Sequence, residues 1–277
     1  MSSNSAQAIK AKLRNISKEK NVDFNSLMRF YMYDRFVERL SKSKYRDNFI
    51  LKGGFYLSNL FGINNRSTMD IDTAIRQAEF TEDNLIKMVT EIINIDVDDN
   101  VKFKFEKCMP IRDEDEYGGL RIVISFQLEN IKDKFHIDLA TGDPIFPGPD
   151  NYKYESLIGN EVYKVWSYNI ETVLAEKIET VLSKLDTTSR MKDYYDIYLI
   201  YKFKFDKVDK EKFKKAIDKT FKRREFNSDL MTNFNIIKDS VFLKDSWTNY
   251  SRKNSYAKNV DFEETLECLK KFIDILN

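Results

Sequence analysis

The chain holds two cysteines and one histidine among its 277 residues. Cys108 and Cys268 lie far apart and form no CxxC pair, so neither a disulfide framework nor a zinc site is expected, and both are read as ordinary thiols. No apolar run approaches the roughly 20 residues of a membrane span. The opening MSSNSAQAIKAKLRN lacks the apolar core of a secretory signal, so a cytoplasmic protein with no membrane partner is expected. Charge of one sign is also missing. With 46 basic and 45 acidic residues the net charge is +1, and any surface for a polyanion must come from local asymmetry. Four prolines and eight glycines leave little to interrupt helices. Core material is plentiful: 42% of residues are hydrophobic and 14% aromatic, ample for one large or two small folded domains.

Chemistry concentrates in KGGFYLSNLFGINNRSTMDIDTAIR, from Lys52 to Arg76. MDIDTAI alternates apolar and acidic residues as a strand does, and a strand sets residues two apart on one face, so Asp70 and Asp72 point the same way. Two carboxylates held side by side repel unless a cation sits between them, which makes a divalent metal the simplest account of the pair. Magnesium, or manganese in its place, suits hard oxygen ligands shared with substrate phosphates. Gly53 and Gly54 follow the apolar run FILK and precede FYLSNLF, whose spacing is helical. Alone, a glycine pair is an ordinary tight turn. At the mouth of a helix it also lets backbone N–H groups approach a phosphate closely. Arg66 and Thr68, at alternating positions before Asp70, add a phosphate-seeking cation and a hydroxyl.

Around this centre the chain reads as α+β, a mixed sheet with flanking helices followed by a helical C-terminal domain. Residues from about Ser5 to Leu40 have helical spacing, and the aromatic stripe Phe30, Tyr31, Tyr33 and Phe36 is core packing rather than a stacking platform. TEDNLIKMVTEIINI is a helix capped by Thr81. VKFKFEKCM, LRIVISFQLE and KFHIDLA are strands, and the acidic run Asp113 to Glu116 before Gly118-Gly119 is a solvated hairpin turn. Asp138 falls on the polar face of the third of these strands, giving a third carboxylate beside the DxD strand. His136 shares that face and is taken as a structural hydrogen-bonding partner, outside the catalytic set. The loop after Thr141, rich in proline and glycine, marks a division into residues 1–150 and 151–277. Beyond it the pattern is helical. Lys177 sits inside a strongly apolar helix, and Asp193 and Asp196 share a face at the start of another, where acids ordinarily serve the helix dipole. Lys202 to Arg224 holds 11 basic residues against 4 acids, either a solvated face or a surface for an anionic polymer.

Gly-Gly at a helix mouth, a DxD strand and a third strand carboxylate resemble the nucleotidyltransferase fold of the polymerase beta superfamily. More narrowly, LKGGFYLSNLFG, RSTMDIDT, IDLATGD, AEKIETVL and RMKDYYDIYLI resemble, in order, the motifs of the AbiEii/AbiGii toxins, nucleotidyltransferase toxins of type IV toxin-antitoxin and phage abortive-infection systems. The resemblance implies that Gly53 and Gly54 contact a nucleoside triphosphate and that Lys177 is a phosphate ligand, beside the Arg66 and Thr68 that the residues themselves offer to its phosphates. It implies that Asp70, Asp72 and Asp138 hold metal and that Lys177 and Asp193 take part in catalysis. The implied reaction moves a nucleotide from GTP or a pyrimidine triphosphate to an RNA, with tRNA the acceptor that the family's relatives suggest. The implied partner is a cognate antitoxin that acts without a stable complex. Transfer onto a protein, and GTP binding without transfer, are the other readings. The chain departs from the superfamily at Phe55, where a small hydroxyl residue often stands nearby, and in its longer gap from Gly54 to Asp70.

Overall fold

A computed structural model describes residues 6–111 and 118–276, which fall into two compact units. The first joins Met1–Gly142 to Asp150–Ser167 and the second joins Asp143–Pro149 to Tyr168–Asn277. The sequence-based division between residues 150 and 151 therefore falls inside the strand Asp150–Glu155, the first of two strands that belong to the first unit. The expected turn at Asp113 to Glu116 lies outside the described residues.

In the first unit, α1 (Ala6–Lys20) and α2 (Phe24–Lys42) precede β1 (Phe49–Lys52), α3 (Gly53–Phe61), β2 (Asp70–Ile75) and α4 (Glu82–Ile93). Then come β3 (Lys102–Ile111), β4 (Gly119–Leu128), β5 (Ile131–Ala140), β6 (Asp150–Glu155) and β7 (Val162–Ser167). The strands form one mixed sheet in the order β3-β4-β5-β2-β1-β7-β6, with β2 parallel to β5, β1 parallel to β7 and the other neighbours antiparallel. The period of two divides its side chains cleanly. Leu51, Ile71, Ile122, Ile124, Phe126, Phe135, Ile137 and Val165 fill one face, and the helices add Leu13, Phe30, Tyr33, Phe36, Phe55, Leu85 and Met88 to the same core. The opposite face carries Asp70, Asp72, Arg121, His136 and Asp138, with Ile50 and Val123 buried on the same side. Phe55 is fully buried against Phe30, Tyr33 and Tyr154, so the residue that departs from the superfamily pattern serves packing. Thr81 stands at the N-cap of α4, though its side chain makes no capping hydrogen bond.

β6 and β7 were not expected from the sequence. Their alternation is present, with Tyr152 and Tyr154 on one strand and Tyr163 and Val165 on the other, but it follows directly on the stretch of proline and glycine.

The second unit is helical: α5 (Ile170–Lys184), α6 (Met191–Lys204), α7 (Lys210–Arg223), α8 (Leu230–Asp239), α9 (Val241–Lys253) and α10 (Phe262–Leu276). Local chemistry fixes the starts of four helices, because Asn169, Asp209, Asp229 and Ser240 each accept a backbone N–H of the first turn. Apolar faces led by Leu174, Ile178, Ile200, Phe213 and Phe272 make the core.

Candidate active site

The carboxylates gather on the polar face of the sheet because β2 and β5 run parallel in a register that pairs Asp70 with His136 and Asp72 with Asp138. Residues paired across neighbouring strands share a face, so three acids and the histidine stand together. Tyr33 anchors the entry to β2 by donating its hydroxyl hydrogen to the carbonyl of Met69 at 2.6 Å.

The glycine pair is built around Asp72. Gly53 has φ of +59°, and a Cβ there would come within 2.5 Å of the Asp72 Oδ2. Gly54 donates its backbone N–H to the same oxygen at 3.0 Å. A Cβ on Gly54 would meet the Arg66 guanidinium at 2.9 Å and the Thr68 hydroxyl at 3.1 Å. The first turn of α3 thus touches Asp72 on one side and Arg66 and Thr68 on the other, and at Gly53 only hydrogen on the α-carbon allows it without displacing Asp72. Arg66 is almost fully buried and donates to the carbonyl of Ser67. Gly53→Ala is therefore expected to lower stability by roughly 1–3 kcal/mol, through left-handed strain together with displacement of Asp72. Thermal denaturation reads the loss, and a melting temperature equal to that of the wild type would contradict this geometry.

Asp70 is approached by His136, whose Nδ1 lies 3.1 Å from its Oδ1 and donates in the tautomer protonated there. Asp138 is more tightly engaged. Arg121 on β4 donates Nε and Nη2 to its two oxygens, both at 2.7 Å, and lies 3.9 Å from Asp70. The bond to Asp138 raises the already high pKa of Arg121 against the opposing effect of burial. Sequence reasoning missed Arg121. Its signal was its place on the polar face of β4, but only the register pairing Arg121 with Asp138 gives that place a meaning.

Lys177 and Asp193 belong to the second unit. Lys177 on α5 is nine-tenths buried and reaches Asp193 Oδ1 at 2.8 Å and Asp196 Oδ2 at 2.6 Å, both on α6. Arg190 Nε adds a contact to Asp193 at 3.0 Å. Burial pushes the Asp193 carboxyl up, but Lys177 and Arg190 outweigh it and hold the group at about 2. Asp196, read from the sequence with Asp193 as a helix-start acid, is a second partner of the lysine.

Among the described residues, no group of three or more His, Cys, Asp or Glu side chains is arranged to hold a metal by itself. The acid pair suits a different kind of site. Asp70 and Asp72 offer hard oxygens on one face, and magnesium is commonly held by one or two carboxylates with the substrate's phosphates completing its shell. Asp138 has lone pairs to add only beside Arg121 or after releasing it. No helix among the described residues is long and apolar enough to cross a membrane.

A mixed sheet with flanking helices, acids on its polar face and a glycine turn at the mouth of a helix defines the nucleotidyltransferase class of fold. The chain belongs to the AbiEii family, nucleotidyltransferase toxins of type IV toxin-antitoxin systems, whose family model matches residues 35–268. Among solved structures it is similar to JHP933 from Helicobacter pylori, with 16% identity, 89% of this chain and 88% of that one covered, and a TM-score of 0.52. That likeness is one of fold. A second H. pylori chain, described as a candidate nucleotidyltransferase, aligns at 16% identity over 89% of this chain and 91% of its own, with a TM-score of 0.45. No curated protein matches the chain.

Proposed function

We propose that this toxin transfers a nucleotide from a nucleoside triphosphate to an RNA acceptor, with tRNA the first candidate, using magnesium or manganese. The observation that carries the reading is the contact of the Gly53-Gly54 turn with Asp72, which sets the mouth of a helix against one of two carboxylates that share a face. Bound metal would neutralise the triphosphate and polarise the phosphorus under attack. Asp70 and Asp72 would hold it. Gly53, Gly54, Arg66 and Thr68 would receive the phosphates, the N-terminus of α3 adding its favourable field for anions. An acceptor hydroxyl oxygen attacks the α-phosphorus, the bond from that phosphorus to the β-phosphate oxygen breaks, and pyrophosphate leaves. Asp138 is placed in the same acidic set, to complete the metal shell or to take the hydroxyl proton. Lys177 and Asp193 would also serve transfer, with the ammonium of Lys177 held by Asp193 and Asp196.

The exposed lysines of α7, including Lys212, Lys215 and Lys219, are a candidate support for the RNA. The cognate antitoxin is proposed to act without a stable complex, in the cytoplasm.

Incubation with each α-labelled triphosphate, magnesium and either total RNA or total protein tests the reading. Label is expected on RNA. Label on protein would replace the acceptor, and binding without pyrophosphate release would favour a regulatory GTP-binding toxin. Because a triphosphate with metal binds only the folded site, a ligand at a hundred times its Kd should stabilise the protein by about 2.7 kcal/mol. Differential scanning at saturating millimolar ligand measures this, and no rise in melting temperature with any of the four nucleotides would remove the triphosphate site.

A further inference from the structure

The polar face that holds the acids continues across β5, β4 and β3 in four cross-strand rows. Nearest the acids, Met109, Arg121, Asp138 and Asp72 stand side by side, followed by Lys107, Val123, His136 and Asp70. The next row is Lys104, Ser125 and Lys134, and the last is Lys102, Gln127 and Lys132. Rows on one face of a strand are about 7 Å apart and neighbouring strands about 4.8 Å apart. The lysines therefore form two columns roughly 10 Å apart, with the uncharged Ser125 and Gln127 between them, and the track from the last row to the acids is on the order of 20 Å long. All five lysines are exposed, and Lys104 and Lys134 keep 79% and 59% of their side-chain surface. Glu106, at the bulge in β3, is the acid that stands among them, 3.7 Å from Lys104 and 3.9 Å from Lys134.

We infer that this face of β3, β4 and β5 is a docking track for the backbone of an extended RNA strand, leading the acceptor end to Asp70, Asp72 and Asp138. The inference rests on the proposed transfer to RNA. Three features support it. The track is longer than one nucleoside triphosphate, so its charge suits a polymer. Its lysines repeat along each strand at the spacing of neighbouring phosphates in an extended single strand, and the middle strand between the columns carries uncharged Ser125 and Gln127, Ser125 donating its hydroxyl hydrogen to Glu106 at 2.7 Å. It also ends at the acids, where a polyanion is repelled unless cations accompany it, and Arg121, already paired with Asp138, stands at that end.

The test is binding of fluorescently labelled unfractionated tRNA at several salt concentrations. It compares the wild type with Lys102→Gln/Lys104→Gln/Lys132→Gln/Lys134→Gln and with the same four positions changed to arginine. Each phosphate contact on a single strand contributes roughly 0.7 to the slope of log K against log salt, so the glutamine variant should lose up to about 3 from that slope and at least tenfold in affinity at low salt. The arginine variant should bind like the wild type. In transfer assays the glutamine variant should raise KM for RNA while kcat and the triphosphate-induced rise in melting temperature stay unchanged. A third variant, Lys212→Gln/Lys214→Gln/Lys215→Gln/Lys219→Gln on α7, should change affinity less than the strand variant. If the wild type binds tRNA and the strand variant keeps its affinity and slope, the track is wrong and the RNA reading stands. If the wild type binds no tRNA at any salt while triphosphate still raises its melting temperature, the RNA acceptor itself is wrong and the track falls with it.

Discussion

Asp70→Asn and Asp72→Asn should each lower nucleotide transfer by at least roughly a thousandfold and abolish growth inhibition, since losing a metal ligand forfeits several kcal/mol of charge stabilisation in the transition state. Neither change should unfold the protein. Asparagine keeps the volume of aspartate, and both positions lie on the polar face of the sheet, away from the core packed beneath it. At position 72 the amide oxygen can still accept the Gly54 N–H, so the glycine turn keeps its partner. Removing one of two neighbouring negative charges also relieves repulsion in the metal-free protein, so melting temperatures at or slightly above that of the wild type are expected. Stability and activity should therefore separate. Circular dichroism controls for folding, and labelled-nucleotide transfer with a growth assay reads function. Full toxicity in both variants would sink the metal-dependent mechanism. A large fall in melting temperature would instead show that the acids hold the sheet together.

The acids were legible in the sequence because a strand writes its faces in alternate letters, and Asp70 and Asp72 lie within one short strand. The core was legible for the same reason in β5, where Phe135, Ile137 and Leu139 alternate with His136 and Asp138. Features made by register were hidden. Arg121 acquires Asp138 as a partner only when β4 is laid beside β5, and the two lysine columns lie on segments some thirty residues apart, each interleaved with phenylalanines or with Glu106 and Asp133. Counted along the chain, neither segment stands out as the run from Lys202 to Arg224 does. The glycine pair was legible as a turn at a helix mouth, but its immediate reason for being glycine, the approach of Asp72, Arg66 and Thr68, depends on contacts across intervals of 12 to 19 residues. Lys177 reads as polar in any window of sequence, and its burial between two carboxylates emerges only from the packing of α5 on α6.

That burial makes Lys177→Ala the largest expected change in stability. Deleting the ammonium takes from Asp193 and Asp196, both buried, the cation they share. Breaking a buried ion pair in this way typically costs about 3–5 kcal/mol. A fall in melting temperature of roughly 6–20 °C should follow. The dependence on pH has a definite sign. In the wild type, the folded state holds the Asp193 carboxyl down at about 2, so its contribution to stability is present above the ordinary carboxylate range and is lost as pH falls through that range towards 2. In Lys177→Ala, burial should dominate and raise the same group, so that protonation favours the folded variant and the gap to the wild type narrows as pH is lowered from 7 towards 4. Conversion to Lys177→Ala/Asp193→Asn/Asp196→Asn should recover part of the lost stability at pH 7, because no uncompensated charge is left inside. Turnover should fall by roughly two to three orders of magnitude in both variants, measured at a temperature where each is folded, if the lysine also serves the leaving phosphates. Denaturation across pH is the deciding measurement. A stability gap that stays constant from pH 7 to pH 4, or no gap at all, would mean that Lys177 does not hold the two carboxylates in the folded unit.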